Sequence, residues 1–578
     1  MKSLGNILRR FFGNPPVLAV WVVIALIVPN FALNITENYG VMMKFANIFL
    51  PLGTYMVLVS LWKRIGITTY LLLPFMVLSA FQLVLLYLYG ESIIAIDMFL
   101  NVVTTNMSEA TELLSNLMIS IFVVIVLYLP PLIVAGIYIF RKKFLPKRFR
   151  RSFCSWGVGI MLCGVLLVII NAYSEKPESV TRDIFPINVI DNMRMAVNRY
   201  DATEHYHTTS AGFTYNSQRT TVNDDEREIY IYVIGETSRA LNWQLAGYDR
   251  PTNPMLSKVR NLVFFNKAIS ESNTTHKSVP MLMSFACAEN FDSINCYKSI
   301  ISAMKEAGFY TRFFSNQAPN RSYIEYFGKE ADDVRYTDYS AMPHPCDGEL
   351  VHMVGDAVND TIHPRQFIVL HTYGSHFQYN DRYPADKAFF KPDRVVKANV
   401  SERSTLINAY DNAVRYTDEV LGSIIACLDN LGCKSAMLYS ADHGEDIFDD
   451  DRKRFLHASP IPTYYQLHVA MFTWLSDELD KCHPEYLQTM IENSQKCVSP
   501  QKSMFNTALE LTGVEADRLK PSRSLVNPRY RYEDPVYLTD LNKAVPLYES
   551  GIKDCDKRKF DRLLNNGQLQ IASNNQHH

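Results

Sequence analysis

The sequence predicts two fold classes in one chain, an α-helical membrane domain of five spans followed by an α/β domain built on a mostly parallel sheet. Three observations lead there. The apolar residues of the 578-residue chain crowd into its first 173 positions, they do so in five long segments, and beyond position 228 short β-rich runs alternate with helical stretches.

The five segments, 17–34, 45–62, 67–89, 117–140 and 153–173, carry no charge in their middles. Crossing the roughly 30 Å hydrocarbon core takes about 20 helical residues, and these are longer than a buried core helix needs. The first is too long for a signal-peptide core, has no A-x-A site after it and is followed by four more, so it reads as a span and not a cleaved leader. Positive residues near spans stay on the cytoplasmic side. Lys2, Arg9 and Arg10, then Lys63 and Arg64, then the run RKKFLPKRFRR from Arg141 to Arg151 fall on alternate loops. Glu37, Glu91, Asp97, Glu109 and Glu112 fall on the others. The N-terminus is therefore expected inside and everything after Tyr173 outside. The loop from 93 to 114 mixes apolar residues with Asn101, Thr105, Asn106, Glu109 and Glu112, and reads as one or two interfacial amphipathic helices.

From 174 to 227 the composition turns polar, which predicts a linker with a short helix near 189–200. After it, strands are expected at 229–234, 262–265, 311–314, 366–371 and 435–440, and helices at 277–286, 297–307, 406–431 and 503–512. A net charge of -2 with no basic stripe argues against nucleic acid as a partner. Eight of the 10 cysteines lie in the part expected outside, where disulfides persist. Cys287 with Cys296, Cys427 with Cys433, Cys482 with Cys497, and Cys346 with Cys555 are candidate pairs, and no C-x-x-C occurs.

Ligands of open α/β sheets gather beyond the carboxyl ends of the strands. Glu236 follows IYVIG, the segment ESNTTHKSVP follows the 262–265 strand, His376 follows FIVLHTYGS, Asp442 and His443 follow AMLYSA, and His457 lies downstream. Two carboxylates and an imidazole suit Zn2+, which then needs one more ligand. A threonine hydroxyl at a helix N-terminus is well placed for a phosphate, and a zinc ion would lower its pKa. Taken alone, Asp-His-Gly-Glu could be a polar turn and Asn-Thr-Thr a helix cap.

Together, in this order, these motifs resemble the phosphoethanolamine transferases of the alkaline phosphatase and sulfatase superfamily, which include lipid A modifying enzymes that confer polymyxin resistance. The resemblance covers essentially the whole chain: five spans, Gly-Glu-Thr with Gly-Tyr-x-Arg-x-Thr-Asn-Pro, Thr-x-x-Ser-Val-Pro, His-x-x-Gly-Ser-His, and Asp-His-Gly-Glu followed by a histidine. It implies a periplasmic sulfatase-like α/β domain at 228–578 behind a transmembrane domain at 1–173 and a linker at 174–227. It implies Glu236, Thr275, Asp442 and His443 as zinc ligands, with Thr275, three residues before Ser278, as the nucleophile. His376 and His457 match the family's substrate-side histidines, while His371 is expected to give support. Asn101, Thr105 and Glu109 resemble a headgroup-binding pattern, and Asn316, Gln317 and Arg321 in FFSNQAPNRS stand where the family binds phosphate with Asn and Lys. The family's frequent Cys after Ser-x-Pro is Met281 here.

The implied reaction moves phosphoethanolamine from phosphatidylethanolamine to lipid A or another envelope glycolipid, in a monomeric enzyme of the bacterial inner membrane. A phosphoglycerol transferase of the lipoteichoic acid synthase type, or a non-catalytic binding protein, are the competing readings. A true sulfatase is disfavoured because Cys/Ser-x-Pro-x-Arg is absent at the nucleophile.

Overall fold

The computed structural model describes residues 13–37, 39–89, 94–104, 118–174, 179–219, 226–338, 344–395 and 398–574. The chain divides into two compact units, one of Met1–Val103 with Met107–Asn198 and one of Thr104–Asn106 with Arg199–His578.

In the first unit, α1 (Pro15–Thr36), α2 (Val41–Leu61), α6 (Met118–Phe140) and α7 (Lys147–Ala172) contain stretches long and apolar enough to cross a membrane. A bent pair, α3 (Ile65–Leu71) with α4 (Leu73–Tyr89), makes a fifth candidate span if taken as one. The third segment, expected at 67–89, is thus bent. Its two parts diverge by 54°, because Pro74 has no N–H to continue the ladder and its ring crowds the preceding turn. α5 (Ile96–Thr104) lies within the expected amphipathic loop and carries Asn101, whereas Thr105 and Glu109 fall outside the described residues.

α2 and α7 pack with their backbones nearly touching. A Cβ on Gly53 would come 2.4 Å from Met161 N, and one on Gly164 2.6 Å from Leu50 N, so only glycine permits this approach. The basic loops meet at one end of the bundle: Leu145 N–H donates to Lys63 O at 2.9 Å, and the Arg150 guanidinium donates to the carbonyls of Ser60 and Leu61.

The polar stretch expected as a linker is largely folded. α8 (Ile187–Glu204) is longer than the short helix expected, and beyond it Tyr206 and Tyr215 are buried in the core of the second unit. Gln218–Arg219 pairs antiparallel with Val514–Glu515. The aromatic residues in this otherwise polar segment are what bind it to the globular unit, whose contiguous part begins at Arg199.

The main sheet of the second unit has seven strands: β1 (Glu228–Gly235), β2 (Leu262–Phe264), β3 (Tyr310–Ser315), β4 (Asp333–Tyr336), β5 (Arg365–His371), β6 (Lys434–Ala441) and β7 (Met471–Leu475). Their order is β2-β7-β6-β1-β5-β3-β4. Strands β6, β1, β5, β3 and β4 run parallel, while β7 lies antiparallel to both neighbours. β1 is central and wholly buried. Tyr230, Tyr232 and Ile234 enter the core on one face, and Ile229, Ile231 and Val233 enter the core on the other, as the two-residue period of a strand requires. Helices α9 (Thr275–Met283), α10 (Arg403–Asp429) and α11 (Pro500–Leu511) contribute to these cores. All 10 cysteines are free thiols, so the four candidate pairs are not disulfides in this structure.

Candidate metal centre and nucleophile

The central strands end at one place, and their polar continuations converge there. Glu236 follows β1 and Asp442 and His443 follow its neighbour β6; all three are buried, and one donor atom from each lies within 4.8 Å of the others. His443 Nε2 is 3.3 Å from Asp442 Oδ2 and 3.6 Å from Glu236 Oε1. Thr275, the first residue of α9, places Oγ1 3.0 Å from His443 Nε2 and 3.5 Å from Glu236 Oε1. The helix does begin at this motif, but Thr274 at the cap position makes no capping bond through its side chain and instead meets Ser272 Oγ at 3.1 Å.

This donor set fits a cation. His443 Nδ1–H donates to Gly444 O at 3.0 Å, which leaves the Nε2 lone pair for the cluster. Asp442 Oδ1 accepts from the backbone N–H of Thr237 and of His443, while Oδ2 is buried with no hydrogen-bond partner. Three lone-pair-bearing atoms therefore face one another out of water, an arrangement that is repulsive unless a positive charge sits among them. The titration behaviour agrees. Burial raises the pKa of Glu236, and the neighbouring Asp442 raises it further; burial also raises Asp442. Burial lowers His443 well below the usual histidine range. A mixed carboxylate and imidazole set is one that divalent transition metals accept.

Neighbouring residues fix these ligands. Thr237, a β-branched residue at φ 52, donates its N–H to Asp442 and its hydroxyl to Glu236 Oε1 at 2.5 Å. Holding such a residue in the left-handed region costs about 1–3 kcal/mol, tolerated where surrounding bonds enforce it. Gln317, just beyond β3, donates Nε2 to Glu236 Oε2 at 3.3 Å and to Thr372 O at 2.8 Å. Gly374, at φ +54, lets the loop after β5 close on Glu236, because a Cβ there would stand 2.5 Å from the Glu236 carbonyl oxygen.

His376 and His457 stand beside the cluster. Their ring centroids are 5.8 Å apart, and the His457 ring is 4.2 Å from that of His443. His376 Nδ1 donates to Phe377 O, and its pKa is lowered to about 3, chiefly by burial and then by His457 and Arg382. His457 Nδ1 is 3.0 Å from Glu445 Oε2, and Tyr379 O–H donates to the other oxygen of that carboxylate. Glu445 is the last residue of Asp-His-Gly-Glu, and the sequence spacing does not show that His457 is its partner. The antiparallel pair Asp446–Ile447 and Phe455–Leu456 turns the chain back and delivers His457 to it.

The remaining expected residues divide. Asn316 is buried and spends its amide on Asp347, Pro345 O and Thr337, while Asp347 accepts from the N–H groups of Tyr373 and Gly374. Asn316 thus lies beneath the His376 loop. Arg321 is exposed at φ 54 with its N–H donating to Glu325, and among the described residues it makes no hydrogen bond or ion pair with the cluster. His371 is buried, with Nδ1 3.1 Å from Ser315 Oγ.

Residues 228–514 match the family described as Sulfatase. Phosphoethanolamine transferase EptC of Escherichia coli K12 is 25% identical over 319 residues, 53% of this chain and 54% of that protein. Kdo(2)-lipid A phosphoethanolamine 7''-transferase of the same organism is 30% identical over 276 residues, 46% of this chain and 47% of that one. The chain thus spans about half the length of the curated relatives it matches. Among solved structures, the integral membrane lipooligosaccharide phosphoethanolamine transferase EptA from Neisseria meningitidis aligns with a TM-score of 0.70 at 21% identity, over 89% of this chain and 98% of that one. The periplasmic domain of Escherichia coli EptC, in complex with Zn, aligns with a TM-score of 0.53 at 24% identity, over 58% and 96%. In sequence, the region matching the Sulfatase family follows a helical region of four to five candidate spans, and the two relatives quoted above are named as phosphoethanolamine transferases.

Proposed function

We propose that this chain is a membrane-anchored phosphoethanolamine transferase that works through Thr275, with its sulfatase-family unit in the periplasm and its basic loops in the cytoplasm. The observation that carries the reading is Thr275 Oγ1 itself, which meets His443 Nε2 and Glu236 Oε1 where three buried acceptors converge. The ligands Glu236, Asp442, His443 and Thr275 would hold Zn2+, the ion bound in the EptC periplasmic domain. When bound, it supplies a Lewis acid that lowers the pKa of the threonine hydroxyl and offsets charge on the phosphate.

Thr275 Oγ1, its proton released to solvent, forms a bond to the phosphorus of phosphatidylethanolamine as the bond from phosphorus to the diacylglycerol oxygen breaks. His457, whose Nδ1 is held by the Glu445 carboxylate, is suited to carry a proton on Nε2 and give it to that leaving oxygen. His376 stays neutral, and with Nδ1–H engaged by Phe377 O it offers Nε2 as an acceptor for a hydroxyl or an ammonium. An acceptor phosphate or hydroxyl, on lipid A or another envelope glycolipid, then attacks the phosphorus and the Thr275 O–P bond breaks. Donor and acceptor both reside in a bilayer, which gives the helical anchor its purpose.

The test is mass spectrometry of lipid A and core oligosaccharide from cells making the wild-type chain or Thr275→Ala. A phosphoethanolamine increment that disappears with Thr275→Ala is the expected result. No threonine-dependent increment in any envelope fraction would overturn the proposal.

A further inference from the structure

We propose that the first three turns of α8 lie in the bilayer interface, with Ile190, Met193 and Val197 among lipid acyl chains. The inference rests on reading the N-terminal helices as membrane spans and adds a second mode of lipid contact to them. These three residues are 41%, 41% and 62% exposed. At i, i+3 and i+7 they fall within about 60° of helix arc, so they form one continuous apolar stripe.

The rest of the helix fixes where that stripe sits. Val189 packs with Leu33, Leu85, Ile94, Ala95 and Met98, which places it against residues near the outer ends of α1 and α4. Asn192 Nδ2 donates to Ile94 O at 2.8 Å. Just before α8, the chain dips between the spans: Phe185 O accepts from Asn30 Nδ2 at 2.8 Å, and Phe185 N–H donates to Asn47 Oδ1 at 3.0 Å. Asn30 is six residues from the end of α1 at Thr36, and Asn47 is six residues from the start of α2 at Val41. At 1.5 Å per residue, Phe185 is tied about 9 Å inside the ends of both spans.

Val189 follows one turn later, so α8 begins at the level where acyl chains give way to headgroups. An outward-facing side chain at that level meets lipid. A stripe of Ile, Met and Val there gains by burial what it would lose in water. Arg194, exposed beside the stripe and paired with Asp191 at 2.9 Å, sits where a headgroup phosphate would be met. Open water and a protein partner are the competing occupants. The level of Phe185 in the bundle favours lipid over both.

The experiment uses the full-length protein in nanodiscs of phosphatidylethanolamine and phosphatidylglycerol, with a genetically encoded environment-sensitive fluorophore at 190, 193 or 197. Ile125, exposed on α6, is the lipid control, and Ile362, exposed on the globular unit, is the water control. At all three α8 positions, blue-shifted emission quenched by shallow brominated phospholipid and protected from iodide is the expected result. Quenching by iodide as strong as at Ile362, while Ile125 reports lipid, would overturn the inference. If Ile125 also reports water, the membrane reading itself fails. A photo-crosslinker at 197 that captures protein in place of phospholipid would likewise overturn it.

Discussion

Replacing Asp442 with Asn should move stability and metal binding in opposite directions. The substitution keeps the shape of the side chain. Oδ1 can still accept from Thr237 and His443, at 3.0 and 2.7 Å, and the new amide N–H₂ takes the place of an oxygen that has no partner and faces His443 Nε2 at 3.3 Å. In metal-free protein this removes a buried negative charge beside Glu236 and turns a carboxylate oxygen that faces the His443 Nε2 lone pair into a donor, a change worth about 1–3 kcal/mol in favour of the folded state. The sign also depends on pH. Glu236 and Asp442 have folded pKa values raised above the usual carboxylate range, so the folded state binds more protons, and metal-free stability falls as pH rises from the unfolded pKa through the folded one. Asp442→Asn removes one of the two groups responsible, so its advantage is greatest above that window. Zinc affinity should fall by more than about 100-fold, beyond the usual cost of losing a merely supporting group. Thermal melts in chelator at pH 8, with zinc titration of the same samples, read both effects. A variant less stable than wild type without metal, with unchanged zinc affinity, would refute the reasoning.

Other consequences can be checked separately. Glu445→Gln breaks the carboxylate contact to His457 without touching a metal ligand, so kcat should fall about 10–100-fold with zinc content retained. Because burial raises both metal-site carboxylates, zinc binding near neutral pH should release protons and weaken as pH is lowered, which calorimetry in buffers of different ionisation enthalpy will count. Gly374→Ala puts a Cβ 2.5 Å from the Glu236 carbonyl oxygen at φ +54, and should cost at least about 1 kcal/mol of stability together with zinc affinity, read by melts and metal analysis.

Much of this molecule is legible in its sequence, for reasons that differ by region. The four to five candidate spans are visible because they are long apolar runs, yet the bend at Leu72 depends on Pro74 acting within a particular helix. The central strands β1 and β5 are rich in β-branched and aromatic residues, and β6 is a buried run that stops at the charged Asp442, so their limits can be read closely. β4 (Asp333–Tyr336) is only four residues long, half-buried and on the sheet edge, and β7 (Met471–Leu475) is five residues long and buried at every position, Thr473 included; runs this short escape a periodicity reading. The cluster of Glu236, Asp442, His443 and Thr275 can be read because each of these residues lies just after a strand or opens a helix. Glu445 and Gln317 acquire their partners through a loop return and a neighbouring strand, which spacing alone does not reveal. The segment 199–219 shows the reverse error: its average composition is polar, but Tyr206 and Tyr215 decide where it packs.

The central claim is that Thr275 carries the transferred group. Its most direct test is to incubate the zinc-loaded full-length protein with phosphatidylethanolamine in the absence of acceptor, quench with acid, and map the peptides by mass spectrometry. A phosphoethanolamine adduct on the peptide containing Thr275, discharged when acceptor glycolipid is added and absent from Asp442→Asn, is what the account predicts. Diacylglycerol release with no adduct at Thr275, or an adduct on another residue, would contradict it.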